Sequence, residues 1–363
     1  MSDSLFSPFT LGDLNLANRM IMAPMTRNRA DDDGIAGPMM AAHYGQRASA
    51  GLIISESSPV SSEGVGYPYT PGLFTQQQTS GWLRVVNEVH SAGGHIFAQL
   101  QHCGRISHPS HQEGNALPVA PSAIAPQGKS VTKSGMQDYV TPRPLEASDI
   151  PNVVMQFKTA AKNALAAGFD GIEVHGANGY LIDQFLRDGS NNRSDAYGGT
   201  VEKRMRFLKE VLNAVSDVFP ASRIGLRLTP ENSFNTMHDS DPQGHFEYIV
   251  SSLADWNLAY LHVLEGDMTD KPKQVDYHKL RRLFGGVYIA NNGYDKSSAE
   301  TAIAQGHADL VAFGTPFLAN PDLVRRYRDG LPLNGVDHST FYGGDETGYI
   351  DYPAAKLEFS SAA

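Results

Sequence analysis

The amino-acid sequence predicts a single α/β domain built as a (β/α)8 barrel. Eight short apolar segments recur along the 363 residues, and each is followed by a helical pattern or by a long polar excursion. This alternation is typical of parallel strands joined by crossover helices. The turn after the first segment, APMTRNRA, has no glycine pair, which argues against the doubly wound sheet that is the second choice. The barrel is therefore the predicted fold class.

The composition restricts the compartment and the partners. There are 29 lysines and arginines against 39 aspartates and glutamates, a formal net charge of -10 without any basic run, so nucleic acid is not an expected partner. No apolar stretch approaches the roughly 20 residues that cross a membrane. The first residues lack the features of a signal peptide, and Cys103 has no second cysteine to pair with. We expect a cytoplasmic protein, monomeric or homodimeric, that does not bind membranes.

The predicted strands are compact apolar runs bounded by turn residues. Residues 5–17 alternate around Gly12-Asp13 and predict a hairpin that caps one end of the barrel. The first barrel strand is ended by Pro24, and a later strand follows Gly93-Gly94. The eight barrel strands are predicted at 19–25, 51–55, 95–101, 171–175, 224–229, 260–264, 287–290 and 310–313.

The predicted helices lie between these strands and show the apolar periodicity of one buried face. Gly168 lies just past the end of one helix, and Thr200 is a candidate N-cap for the next. Residues 105–148 are rich in Pro, Gly, Ser and Gln and predict a lid-like excursion with its own hairpin, and residues 330–363 form a C-terminal tail. The helices are predicted at 39–49, 76–92, 150–167, 201–218, 245–256, 276–284, 297–305 and 321–329.

The richest stretch follows the fourth strand, IEVHGANGYLIDQFLRDGSNNRSDAYGG, residues 172–199. It presents His175, Asn178 and Tyr180 within six residues at a strand's carboxyl end. Such a set suits a site where two donors hold an oxygen while a third group delivers a proton. The alternative is a structural histidine, a loop-capping asparagine and a tyrosine that packs on the following helix. Other polar residues lie near or just after the carboxyl ends of predicted strands, namely Thr26, Gln99, Gln101, Arg227 and Asn292.

Six motifs together resemble the old yellow enzyme family of FMN-dependent ene-reductases, over residues 5–353. The bacterial branch of N-ethylmaleimide and glycerol trinitrate reductases looks most similar, partly from the tail TFYGGDETGYIDYP. The resemblance is specific because the blocks occur in order and at barrel-compatible spacing. The motifs are NRMIMAPMTRNRA (18–30), QRASAGLIISE (46–56), AQLQHCGRISH (98–108), HGANGYLIDQFLRDGSNNRSDAYGG (175–199), IANNGYD (289–295) and FLANPDLVRR (317–326).

The resemblance implies an NAD(P)H-dependent flavin oxidoreductase with non-covalent FMN and either NADPH or NADH as the reductant. It implies reduction of electron-poor alkenes, such as enones, maleimides and nitroalkenes, with nitrate esters as further acceptors. His175 and Asn178 would bind the substrate's oxygen and Tyr180 would supply the proton. Tyr67, Gln101 and Tyr342 would also contact substrate. The FMN-binding residues would be Pro24, Thr26, Ser57, Gln99, Arg227, Asn292, Gly293, Gly314 and Thr315.

Two positions depart from the family pattern. Most relatives carry Trp where this chain has Gln101, so we expect a roomier or more polar pocket. Relatives usually carry Arg or Lys where this chain has Thr315, and that cation helps to hold the FMN phosphate. Backbone N–H groups and the threonine hydroxyl would remain as donors. Weaker FMN binding is the expected consequence.

Three other readings compete with this one. Histidines 102, 108, 111 and 175 suggest a metal, but their spacing matches no known helix-face pair, so no metal is predicted. A Schiff-base or metal-dependent lyase needs a strand-end lysine or a carboxylate cluster, and no predicted strand carries a lysine. A non-catalytic flavin-binding protein would not need a proton donor beside the oxygen-binding pair. Cys103 is expected to be an inert packing residue.

Overall fold

The computed structural model describes residues 4–269 and 271–356. Eight parallel strands close into a barrel in which each strand pairs with its sequence neighbours and the last pairs with the first. The (β/α)8 prediction is confirmed. The barrel strands are Met20–Met22, Leu52–Pro59, Ile96–Gln101, Gly171–Gly176, Ile224–Leu228, Tyr260–Leu264, Tyr288–Asn291 and Leu310–Phe313.

The predicted hairpin plugs the amino-terminal end of the barrel. Strands Phe9–Leu11 and Leu14–Leu16 pair antiparallel, with Gly12 at φ 60° in the turn. Leucines 11, 14 and 16 pack in one buried cluster with barrel residues such as Phe97 and Tyr260. The hairpin thus covers the amino-terminal end of the barrel interior.

The helices cover the outside of the barrel, and most begin at the predicted residue or within three residues of it. The predicted helix over 201–218 is instead two helices that meet at Met205, which keeps nearly helical angles, φ -74° and ψ -14°. The helices are Pro38–Gly45, Gln76–Ser91, Ile150–Ala166, Leu181–Leu186, Val201–Arg204, Arg206–Ser216, Pro242–Ser251, Tyr277–Phe284, Lys296–Ala304, Thr315–Ala319 and Leu323–Asp329.

Side-chain caps explain where several helices start. The Thr75 hydroxyl accepts from the Gln78 backbone N–H, and Thr200 caps its helix in the predicted way by accepting from the Lys203 N–H. Asp241 accepts from the Gly244 N–H, so that helix begins three residues before its predicted start. Each cap satisfies a backbone donor that would otherwise lack a partner at the helix end.

The excursion after the third barrel strand contains the predicted hairpin. Lys129–Thr132 pairs antiparallel with Gly135–Asp138, and the short strand Val119–Ala120 pairs with Arg143–Pro144. The tail returns over the mouth of the barrel, because the guanidinium groups of Arg27 and Arg29 donate to backbone carbonyls in the tail, including that of Phe341. Residues 357–363 of the predicted tail lie outside the described residues. No helix within the described part of the chain is both long and apolar enough to pass through a membrane.

Candidate active site

A cavity of about 640 Å³ opens at the carboxyl ends of the barrel strands. Its wall contains every residue that the sequence assigned to the site except Gln101, which is buried outside the lining. The predicted residues in the wall are Pro24, Thr26, Ser57, Tyr67, Gln99, His175, Asn178, Tyr180, Arg227, Asn292, Gly293, Gly314, Thr315 and Tyr342.

The turn after the fourth strand places three of these side chains together. Asn178 and Gly179 both adopt positive φ, 56° and 77°, so the chain reverses sharply. A Cβ atom on Gly179 would lie 2.7 Å from Met237 Cγ, so only glycine fits there. The next helix can then begin at Leu181, with Tyr180 at its N-cap and facing the cavity.

A buried ion pair holds this turn in place. Asp183 Oδ2 accepts from the Gly179 N–H at 2.8 Å, and Asp183 Oδ1 accepts from Arg187 Nε at 2.9 Å. Arg187 donates in turn to the Asn232 carbonyl at 3.0 Å. The sequence reasoning missed this pair, although an Asp and an Arg at i,i+4 in an apolar helix are a detectable signal.

Neighbouring groups fix the orientation of the Asn178 amide. Asn178 Oδ1 accepts from Asn232 Nδ2 at 3.1 Å, and the Asn178 backbone N–H donates to Thr229 Oγ1 at 2.8 Å. Since the amide oxygen is occupied, the Nδ2 group is the part of the side chain that remains for a ligand. Asn178 is thereby prepared as a hydrogen-bond donor toward the cavity.

His175 is a neutral imidazole. Burial and the nearby Arg227 guanidinium lower the pKa of His175 to about 3, so the ring carries a single N–H at neutral pH. Its Nδ1 atom is buried and has no hydrogen-bond partner in the described part of the chain. The ring lies edge to face with Tyr180, with 5.1 Å between the two centroids. The His175 imidazole can therefore donate a hydrogen bond without itself carrying a charge.

Tyr180 lies in an apolar corner of the cavity beside Cys103, Ile106 and Tyr67. Burial raises the pKa of the Tyr180 phenol, so this side chain is protonated at neutral pH and can donate. Burial also raises the pKa of the Cys103 thiol, which keeps the sulfur in its unreactive form. Tyr180 lines the cavity and Cys103 does not, so the tyrosine is the proton donor that faces a ligand here.

A buried polar chain runs across the floor of the cavity. The Ser57 hydroxyl donates to Gln99 Oε1, and Gln99 Nε2 donates to Glu173 Oε1 at 2.6 Å. Glu173 Oε2 accepts from His262 Nδ1 at 2.8 Å. Burial opposes ionisation of Glu173, but His262 and Arg227 outweigh it and lower the pKa of that carboxyl. Glu173 is therefore an ionised carboxylate that lies just behind the cavity wall, where it is hydrogen-bonded to the lining residue Gln99.

Arg227 completes this chain and is part of the cavity wall. Its Nη1 donates to His262 Nε2 at 2.9 Å and its Nη2 donates to Asn291 Oδ1 at 2.9 Å, while Nε has no partner within the described structure. In these contacts Arg227 meets no aspartate or glutamate directly, since Glu173 is reached only through His262. Glu173 and His262 were missed because each lies within a predicted strand, whereas the sequence pattern pointed only to residues near the strand ends.

Acid will destabilise the fold through His262. Burial and then Arg227 lower the pKa of His262 to about 4, against about 6.5 in an unfolded chain. Between these values only the unfolded chain binds the proton, so stability present above pH 6.5 is lost as the pH falls. We expect a loss of about 2 kcal/mol at pH 5 from this group.

The matched variant is His262→Gln, whose amide can accept from Arg227 and donate to Glu173 without titrating. Denaturant unfolding at pH 7 and pH 5 should show a smaller pH dependence for His262→Gln than for the wild type, by about 2 kcal/mol. Identical pH dependence in both proteins would show that His262 is not neutral in the fold.

The far end of the cavity is lined by backbone rather than by charged side chains. Gly314 is the N-cap of the short helix Thr315–Ala319, and a Cβ atom on Gly314 would lie 2.7 Å from Met25 Sδ. Asn292 and Gly293 follow the neighbouring strand Tyr288–Asn291 and have φ of 91° and 77°. Arg227 is the only lysine or arginine among the described lining residues.

The outer wall is apolar and partly exposed. Tyr342 on the tail is 66% exposed, and Phe234, Met268 and Val131 are also exposed at the rim. Lys133 on the excursion hairpin pairs with Asp32. An apolar acceptor molecule could therefore contact the rim while its polar end reaches His175 and Asn178.

The geometry of the site does not favour the two alternative functions, a Schiff-base lyase and a metal-dependent enzyme that uses the four histidines. None of the eight barrel strands contains a lysine that could form a Schiff base. The described residues bring one set of three possible metal ligands together, Asp188, Asp239 and His245, and it includes none of the four histidines considered above.

Comparisons with known proteins agree with the fold. Residues 4–334 match the model of the NADH:flavin oxidoreductase / NADH oxidase family. The chain is 43% identical over 356 residues to the "Probable flavin mononucleotide-dependent alkene reductase" of Leishmania infantum, which covers 97% of each protein. It is 41% identical to 12-oxophytodienoate reductase 1 of Oryza sativa subsp. japonica, over 96% of this chain and 92% of the relative. A solved structure of morphinone reductase in complex with tetrahydroNAD is 45% identical, covers 98% of each chain and gives a TM-score of 0.93.

Proposed function

We propose that this chain reduces activated alkenes. It belongs to the NADH:flavin oxidoreductase / NADH oxidase family, that is, to the old yellow enzymes that its sequence motifs resemble. The reaction depends on FMN and is driven by NADH or NADPH. The acceptors are alkenes conjugated to a carbonyl or nitro group, including enones and maleimides. The observation that carries the proposal is the convergence of a neutral imidazole, an oriented amide and a protonated phenol on one cavity.

The cavity suits a flavin in its shape and in its donors. The buried Nε of Arg227 lacks a partner, which is a position where an anionic or carbonyl-bearing ring would complete a hydrogen bond. Gln99 and Thr26 would meet the polar edge of the ring, with Pro24 and Ser57 beside it. Asn292, Gly293, Gly314 and Thr315 would hold the phosphate end through backbone and hydroxyl donors.

Bound FMN, once reduced by the nicotinamide, supplies the hydride for the alkene. His175 and Asn178 hold the substrate oxygen, where negative charge develops as the hydride arrives. One such donor contributes roughly 3 kcal/mol in comparable oxyanion sites. Tyr180 donates its proton to the other alkene carbon, and Tyr67 and Tyr342 bound the substrate on its outer sides.

A spectroscopic experiment tests this proposal directly. The purified protein should show flavin absorbance that is lost anaerobically when NADH or NADPH is added and returns when 2-cyclohexenone is added. Mass analysis of the product should show a saturated ketone. A protein that cannot be reconstituted with FMN, or whose reduced form is not reoxidised by any activated alkene, would contradict the proposal.

Thr315 provides a prediction about cofactor affinity. Because no described lining cation other than Arg227 is available, Thr315→Arg should add a charge-assisted bond to the FMN phosphate. We expect FMN to bind to the apoprotein about 10-fold to 100-fold more tightly in this variant, measured by quenching of FMN fluorescence.

Two controls isolate the charge in the Thr315 experiment. Thr315→Gln lengthens the side chain without adding a charge and should leave the affinity near that of the wild type. Riboflavin, which lacks the phosphate, should bind Thr315→Arg and the wild type equally. An equal gain for riboflavin and FMN would show that the arginine acts elsewhere than at the phosphate.

A further inference from the structure

Gln101 is a buried amide with an unused donor. It ends the third barrel strand, is 2% exposed, and its Nε2 has no hydrogen-bond partner of normal geometry among the described residues. Unsatisfied buried donors are rare in folded proteins and call for an explanation. Gln101 does not line the cavity, so substrate contact does not supply one.

Gln101 is near enough to the hydroxyl of Tyr180 to act on it, although no hydrogen bond of normal geometry joins the two side chains. Tyr67 approaches the same oxygen, with 3.1 Å between the two phenol oxygens and with the rings edge to face. Burial is the largest influence on the pKa of Tyr180 and raises it, whereas the neighbouring Tyr67 hydroxyl and Gln101 amide lower it. Both groups therefore favour the ionised form of this phenol.

Among the described residues that act most strongly on the Tyr180 phenol, none carries a positive charge. The titratable ones are Cys103, Tyr67 and Tyr139, all uncharged at neutral pH, and the adjoining His175 is neutral as well. A tyrosinate in this corner of the cavity can thus be stabilised only by neutral hydrogen-bond donors aimed at its oxygen.

We propose that Tyr67 and Gln101 are positioning residues that hold the Tyr180 oxygen and stabilise the tyrosinate left after proton transfer. The inference rests on the proposed function. In that step the Tyr180 O–H bond breaks, and a C–H bond forms with the electron pair that hydride addition left on the alkene's enolate. Solvent water then returns a proton to Tyr180, so the enzyme ends the cycle unchanged.

The test is a double-mutant cycle with Tyr180→Phe. Gln101→Met keeps the length of the side chain and removes the donor, and Tyr67→Phe removes the second donor. Stopped-flow reoxidation of the reduced holoenzyme by saturating 2-cyclohexenone is the readout. Each variant should slow reoxidation about 10-fold when Tyr180 is present and by less than about 2-fold in the Tyr180→Phe background.

The solvent deuterium isotope effect provides a second readout that a purely structural role would not change. It should be larger in Gln101→Met and in Tyr67→Phe than in the wild type, because proton transfer becomes slower relative to the other steps. Equal losses with and without Tyr180, or no loss in the presence of Tyr180, would overturn the inference.

The two variants guard against a failure of folding, because Tyr67→Phe tests the same idea if Gln101→Met is not stable. Failure of the proposed function is distinguishable from failure of this inference. In the first case the wild type itself is not reoxidised by the enone. In the second case the wild type turns over, but the effects of the two variants do not depend on Tyr180.

Discussion

Tyr180→Phe will slow the reduction of 2-cyclohexenone by about 10²–10⁴-fold, the range expected when a general acid is removed. Reduction of the bound flavin by NADH or NADPH will change little, because no proton from Tyr180 is needed in that half-reaction. The phenylalanine ring can keep the edge-to-face contact with His175 and the packing against Ile106. Stopped-flow measurement of the two half-reactions separately gives both rates.

The size of the effect should depend on the acceptor. Strongly activated acceptors such as maleimides need less proton assistance, so they should lose less rate in Tyr180→Phe than simple enones do. A protein in which the two half-reactions slow equally would contradict the role of Tyr180 and indicate a general disturbance of the cavity.

Tyr197→Phe is the matched control for this experiment. Tyr197 is also buried, but its hydroxyl donates to Glu210 at 3.0 Å and it does not line the cavity. Loss of this hydroxyl should therefore leave both half-reactions at the wild-type rate. Any decrease in the rate of alkene reduction in Tyr197→Phe would show how much of the effect of Tyr180→Phe comes from a general disturbance of the fold.

The sequence predicted the parts of the structure that follow from periodicity and from local turn chemistry. Strands such as Tyr260–Leu264 and Leu310–Phe313 were predicted with their observed bounds, because each is a short apolar run between clear turn signals. The site residues after strands could be grouped because all carboxyl ends of a parallel barrel meet at one face. That rule needs only the order of the elements and no knowledge of side-chain contacts.

The parts that were missed depend on contacts between residues far apart in the sequence. Gln101 was expected at the substrate, yet it lies outside the cavity lining, near Tyr180. The strand position shows that a side chain is near the site but not on which side of Tyr180 it lies. Likewise, the role of Glu173 appears only when His262, 89 residues later, is seen to bind it at 2.8 Å. The short helix Thr315–Ala319 was missed because five residues are too few for a periodic pattern.

Asn178→Asp will slow flavin reoxidation by enones by about 10²–10³-fold, the effect of losing one donor from an oxyanion site. Aspartate tolerates the positive φ of 56° at this position, and its Oδ1 can still accept from Asn232, so the turn should keep its shape. The donor toward the substrate is replaced by an acceptor. Binding of a phenolate inhibitor, followed by its charge-transfer absorbance, should weaken together with the alkene rate.

The carboxylate makes this change more severe than loss of the amide donor alone. His175 is neutral, so it does not compensate a negative charge placed beside the developing oxyanion. Asn257→Asp is the matched control, since Asn257 is exposed, has φ of 53° and lies outside the cavity lining. If Asn178→Asp kept wild-type affinity for the phenolate and wild-type reoxidation, the oxygen-binding role would pass to His175 alone. The orientation that Asn232 imposes on Asn178 would then have no part in catalysis.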